Sequence, residues 1–255
     1  MRSHRALLMG LVAATAVASA HTGSSQATAE VAPRAATALV LHYTFDSDQQ
    51  GVVRDASINA LHGTLINAAS STAYTASVAG RGKALRLVGA DHQFVDVPQS
   101  DVLDVDSYTL AALVRYTRVP NDQTLGRWEV LEKAGAYWLN IRTTGRVRVG
   151  GFYGDCNGGA AWQYLDSSRP IPINTWTHVA STYNQSRLTV WINGERAGSK
   201  AVSGTTCSND EPLAIGAKNA PAKGLLEAFY DGLLDDVRIY KHALTATRIR
   251  ALVPL

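Results

Sequence analysis

Glu129 and Glu132 are the nearest pair of carboxylates whose spacing invites a catalytic reading. Glycoside hydrolysis uses one carboxyl as acid and a second as base or nucleophile, about 5 to 10 Å apart. The residues around them, from Trp128 to Ala134, read as a strand. On a regular strand, side chains three apart point to opposite faces, so the two acids are expected to part company at a sheet surface. Lyase chemistry on an acidic sugar would need Tyr, His, Arg and Gln to converge. Those types are plentiful, but no motif gathers them, the seven histidines are scattered, and His178 reads as a strand residue. No catalytic residue is assigned.

Aromatic residues offer a different chemistry. Sugar rings lay their C–H faces on Trp and Tyr while their hydroxyls take polar partners. Tyr153, Trp162 and Tyr164 flank Cys156, with Asp155, Asn157 and Gln163 interleaved, and are the candidate ligand-binding set. The competing reading has Trp162 and Tyr164 covering the end of a core. Trp128, Trp138, Trp176 and Trp191 are expected inside.

The elements that must position these residues are strands. Leu41, Tyr43 and Phe45 alternate with His42, Thr44 and Asp46, Leu85 shares a face with Leu87, and Val95 with Val97. Residues 108–116 are apolar enough for a central strand buried on both faces. Segments 128–134, 137–142 and 146–153 form a meander, with turns at Ala134-Gly135 and Thr144-Gly145. Residues 155–172, with Gly158-Gly159 and Pro170-Ile171-Pro172, read as a long loop. Two further strands, each with a Trp, meet the hairpin turn Asn193-Gly194, with Leu188, Val190 and Ile192 facing the core. Thr245 caps one short helix over residues 246–252. Many short strands without βαβ alternation predict an all-β, two-sheet antiparallel sandwich.

The N-terminus bounds the compartment. Arg2 and Arg5, the apolar run at residues 6–18 and small residues at Ala18 and Ala20 follow the order of a secretory signal, with the cut after Ala20. Residues 21–38 read as a flexible leader and 39–255 as one domain. Losing Arg2 and Arg5 takes the formal net charge from +3 to about +1, so nothing marks a nucleic-acid partner or membrane insertion. Cys156 and Cys207 are the only cysteines, and in an oxidising compartment they are expected to form a disulfide.

Taken together, the segments resemble the laminin G-like jelly roll of the concanavalin A-like lectin and glucanase superfamily, over residues 40–253. The most specific piece is Asp231-Gly232-Leu233-Leu234-Asp235-Asp236-Val237-Arg238-Ile239-Tyr240 followed by His242-Ala243-Leu244-Thr245. Leu41-His42-Tyr43-Thr44-Phe45-Asp46, the Asp55 to Gly63 turn and Trp176-Thr177-His178-Val179-Ala180 support it. The glucanase pattern Glu-x-Asp-x-x-Glu is absent. The resemblance implies a structural calcium ion, which as a hard cation takes 6 to 8 oxygens. Carried over, it points to Asp46, Asn59, Gly63 and Asp236; the alternative is that Asp46 and Asp55 are turn residues bonding their own backbone.

The resulting expectation is a secreted, monomeric recognition module for a polysaccharide or a cell-surface glycoprotein, without catalysis. The alternative is a divergent polysaccharide hydrolase or lyase on the same fold, since fold alone does not choose.

Overall fold

The computed structural model describes residues 38–78, 80–121 and 125–254; the signal at 1–20 and the leader at 21–38 lie outside them, apart from Ala38. Strands are numbered in chain order. The first sheet runs β14 (Glu195–Ala201), β13 (Arg187–Ile192), β12 (Thr177–Tyr183), β7 (Tyr108–Arg115), β19 (Gly232–Tyr240), β5 (Lys83–Leu87) and β4 (Tyr74–Ala76), with β1 (Leu39–Tyr43) on the later half of β19. The second runs β11 (Ala161–Pro170), β10 (Arg146–Gly154), β9 (Tyr137–Arg142), β8 (Arg127–Lys133), β16 (Leu213–Ile215), β6 (Phe94–Val97), β3 (Gly63–Ile66) and β2 (Val52–Val53). β15 (Thr205–Thr206) lies against the end of β10, and β17 (Lys218–Ala220) pairs with β18 (Leu225–Glu227).

Alternation builds the core, because each strand gives one apolar face to the facing sheet. Leu41 and Tyr43, Leu85 and Leu87, Val95 and Val97, and Leu188, Val190 and Ile192 all join one buried cluster. β7 lies between β12 and β19 and is buried along almost all its length, as its continuous apolar run predicts. Its outward Ala111 packs with Ala180, Trp191 and Ile249 of helix α1 (Ala246–Ala251), so the helix seals one outer face. The Thr245 side chain accepts from Arg248 N at that helix's N-terminus.

Two features decide the surroundings of the site. Cys156 and Cys207 are bonded, with a Cα–Cα distance of 5.5 Å and a sequence separation of 51. The long loop expected at 155–172 is shorter than the sequence implies, because ten of its residues form β11 and pair with β10 from Arg146↔Pro170 to Tyr153↔Ala161. An edge strand tolerates Pro170 at its end, since the missing N–H is not required by an inner neighbour.

Candidate functional site

The outer face of the second sheet carries a depression of about 250 Å³ across β8 to β11. A β-bulge makes its floor. Glu129 stands opposite Asn140 and Leu131 opposite Leu139, which leaves Val130 as an extra residue in β8. Trp128, Val130 and Leu131 therefore all enter the core. Glu129 and Glu132 both emerge on the outer face and line the depression. The expectation that they face opposite ways is overturned, because the extra residue shifts the alternation by one.

Cross-strand register sets out the remaining groups. Glu129, Asn140, Arg148 and Asp166 form one row, and Glu132, Trp138, Gly150 and Tyr164 the next. Gly150 is required there: a Cβ would sit 2.4 Å from Trp138 Cζ2, so its absence lets the indole lie across the strand. Trp138 meets Trp162 at 5.3 Å between ring centroids, and Phe152 supports Trp162 at 4.9 Å. The Arg148 guanidinium lies 4.2 Å from the Tyr164 ring and is fixed by Asp166 through bonds of 2.6 and 2.8 Å. Trp162 and Tyr164 remain 51% and 49% exposed, although exposure is costly for rings of their size.

The floor is polar, buried and only partly satisfied. Glu129 Oε1 accepts from Arg127 Nε at 2.6 Å and from Asn140 Nδ2 at 3.3 Å. Glu129 Oε2 and Asn140 Oδ1 are buried without any hydrogen-bond partner. Glu132 accepts no hydrogen bond among the described residues. Burial raises the Glu129 pKa despite the opposing charge of Arg127, and burial with the neighbouring Glu129 charge pushes that of Glu132 well above the usual carboxylate range. Arg127 also reaches Glu227 at 3.0 Å, which Lys218 approaches at 3.3 Å.

Of the expected ligand-binding set, Trp162 and Tyr164 line the depression but Tyr153 does not. Tyr153 belongs to the opposite parity of β10: it is 2% exposed, its hydroxyl is 2.5 Å from that of Tyr108, and its ring packs on Tyr183 at 4.3 Å. Trp138, expected in the core, takes its place at the site. Asn140 and Arg142 were also missed, although they alternate with buried Leu139 and Ile141, a period-two signal for an outward polar face. Trp128 and Trp191 are buried as expected, whereas Trp176 is only half-buried.

The residues expected to hold calcium are engaged with the protein itself. Asn59 turns its amide N–H groups to the Leu39 and Val40 carbonyls, so it donates there. Gly63 pairs in the second sheet, facing Val53. Asp236 is occupied by His42, Arg81 and Arg238, all within 3 Å. Asp46 accepts from Lys83 N at 2.7 Å. Asp55 is the turn organiser, receiving His42 N, Ser57 N, Ser57 Oγ and Leu61 N. No group of three or more His, Cys, Asp or Glu side chains suited to a metal occurs among the described residues.

Two face-to-face antiparallel sheets, with an aromatic-walled depression on one outer face, define a concanavalin A-like jelly roll. The chain belongs to the concanavalin A-like lectin/glucanases superfamily, whose laminin G model matches residues 89–250. No curated protein sequence matches it. Among solved structures, it is similar to the binding domain of Paraclostridial mosquitocidal protein 1, with TM-score 0.63 and 19% identity over 85% of this chain and 52% of that one. It is similar to domain 4 of AbnA, a GH43 extracellular arabinanase from Geobacillus stearothermophilus seen with arabinotriose, with TM-score 0.62 and 21% identity over 85% and 98%. The binding domain of botulinum neurotoxin DC, in complex with rat synaptotagmin II, gives 0.60 and 13% over 86% and 51%. The chain thus spans about half of each toxin chain and nearly all of the arabinanase domain. At these identities the likeness shows the fold.

Proposed function

We propose that this protein is an exported carbohydrate-binding domain that grips a glycan, on a polysaccharide or a cell-surface glycoprotein, in the depression on the outer face of its second sheet. The observation that carries the reading is the wall of exposed Trp162 and Tyr164, joined by Trp138, over buried acceptors that no protein group satisfies. Stacking surfaces beside convergent polar atoms are what a sugar ring requires. Domain 4 of the arabinanase, seen with arabinotriose on a similar fold, supports the ligand class. The disulfide and the signal-like N-terminus support export. Affinity electrophoresis through gels containing single soluble polysaccharides tests it. Wild-type protein is expected to be retarded in at least one gel, and Trp162→Ala to lose about tenfold in affinity, a hot-spot effect of roughly 1.4 kcal/mol, with unchanged circular dichroism. Equal retardation of both proteins would move the site elsewhere.

A second reading is favoured by one observation. The bulge at Val130 brings two buried carboxyls to one face, the arrangement that acid–base cleavage of a glycosidic bond needs. Release of reducing ends by wild-type protein, abolished in Glu132→Gln, would replace the binding reading with the hydrolytic one.

A further inference from the structure

We propose that the cleft takes neighbouring sugar hydroxyl groups as hydrogen-bond donors to Glu129 and Asn140, and favours neutral over uronic and sulfated glycans. The inference rests on the reading of the cleft as a glycan site. Glu129 Oε2 and Asn140 Oδ1 are both acceptors, both buried and both unpartnered, on residues that are 1% and 2% exposed. They belong to directly paired positions of β8 and β9, so their side chains stand roughly 5 Å apart at Cβ. A ligand that satisfies both must bring two donors close together. Adjacent ring hydroxyls do so, and the ring they belong to then meets the indoles of Trp138 and Trp162.

Charge argues against an acidic sugar. Three of the four cations around the floor are already committed: Arg127 to Glu129 and Glu227, Arg148 to Asp166, and Lys218 to Glu227. Arg142 alone among them has no ion-pair partner among the described residues, and it lies one row from the floor, opposite Arg127. A sugar carboxylate or sulfate reaching the floor would instead bring a further anion against Glu129 and Glu132, a carboxyl pair whose charge burial already opposes. Burial reinforces this, because an unpaired anion in a desolvated pocket is costly. A hydroxyl brings a donor without charge, and a half-buried Arg142 can donate to its oxygen.

Isothermal titration of wild-type protein with xylohexaose, cellohexaose and arabinohexaose, against oligogalacturonate, a heparin hexasaccharide and a chitosan hexamer, tests the selection. At least one neutral oligosaccharide is expected to bind at least tenfold tighter than either acidic one, with the chitosan hexamer reporting whether the two carboxyls also admit a cation. Asn140→Ala and Glu129→Gln should each weaken that binding about tenfold, with melting curves reporting whether either variant is folded. If an acidic oligosaccharide binds wild-type protein as tightly as the best neutral one, the selection is refuted while the cleft still binds glycan. Two folded variants with wild-type affinity would likewise refute the role of these acceptors. Absence of any heat with all six probes would instead remove the glycan reading and this inference with it.

Discussion

Two acidic pairs sit beside β-bulges on the two outer faces of the sandwich, Asp235 and Asp236 in β19 and Glu129 and Glu132 in β8. In the first, every acidic oxygen has a donor: Asp235 takes Ser77 Oγ and Asp236 N, and Asp236 takes His42, Arg238 and Arg81. Burial opposes the charge on Asp236, yet the His42 hydrogen bond and the Arg238 charge outweigh it and hold its pKa at about 2. Burial prevails at Asp235, whose pKa it raises to about 6 despite both bonds, and across the second pair, but only there is a carboxylate oxygen, Glu129 Oε2, left without a partner. The difference separates two uses of a buried carboxylate. A saturated one fixes strands to one another; one left open beneath exposed aromatics is disposed to accept from a ligand.

The largest expected effect comes from breaking the saturated pair. Asp236→Ala leaves Arg81 and Arg238 without their carboxylate and should cost about 3–5 kcal/mol in urea unfolding. A loss under about 1 kcal/mol would mean that the network merely decorates the sheet.

A pH series probes the same face. His178 is 3% exposed with both ring nitrogens unpartnered, and burial lowers its pKa to about 4, the Asp236 charge opposing and Arg238 adding to the shift. The folded state therefore binds fewer protons than the unfolded one, so stability is present above the ordinary histidine value and lost as pH falls from about 6.5 to about 4. The loss amounts to roughly 3 kcal/mol. Asp235, raised by burial to about 6, acts in the opposite sense over part of this range, so the test is the difference between proteins: His178→Leu should gain on wild type in urea midpoint as pH falls from about 6.5 to about 4, while the Asp236 contribution falls away only at lower pH, below the ordinary carboxylate value. An unchanged profile would place the titration elsewhere.

The smallest effect tests the open pair. A carboxyl whose folded pKa is raised stabilises the fold below its ordinary value and loses that contribution as pH rises. Glu132→Gln should thus stabilise the protein at pH 7 by about 1 kcal/mol, or ~2–4 °C in Tm, with the gain vanishing near pH 4. Destabilisation at pH 7 would show that Glu132 is paired as thoroughly as Asp236.

Much of this was legible in the residues. Alternation in Leu41-Tyr43-Phe45 and Leu188-Val190-Ile192 announced the inner faces, and the lone cysteines announced their bond. Trp162 and Tyr164 stood out as a stacking pair. Their strand did not, because Gly159, Pro170 and Pro172 around it imitate a loop; once β11 is a strand, its pairing with β10 puts Trp162 beside Phe152 and sends Tyr153 inward. The bulge at Val130 has no glycine or other local mark, so the shared face of Glu129 and Glu132 emerges only from the register between β8 and β9. Sequence spacing likewise does not reveal that Arg81 folds across to Asp236.

The central claim is that the outer face of the second sheet is the ligand surface. The five tryptophan indole N–H resonances can be followed by NMR while the best-binding oligosaccharide is added. Trp138 and Trp162 should move together and saturably, with Trp128 and Trp191, buried in the core and beneath helix α1, staying in place. Saturable movement of Trp191 with Trp138 and Trp162 unmoved would put the ligand on the other sheet and contradict the account.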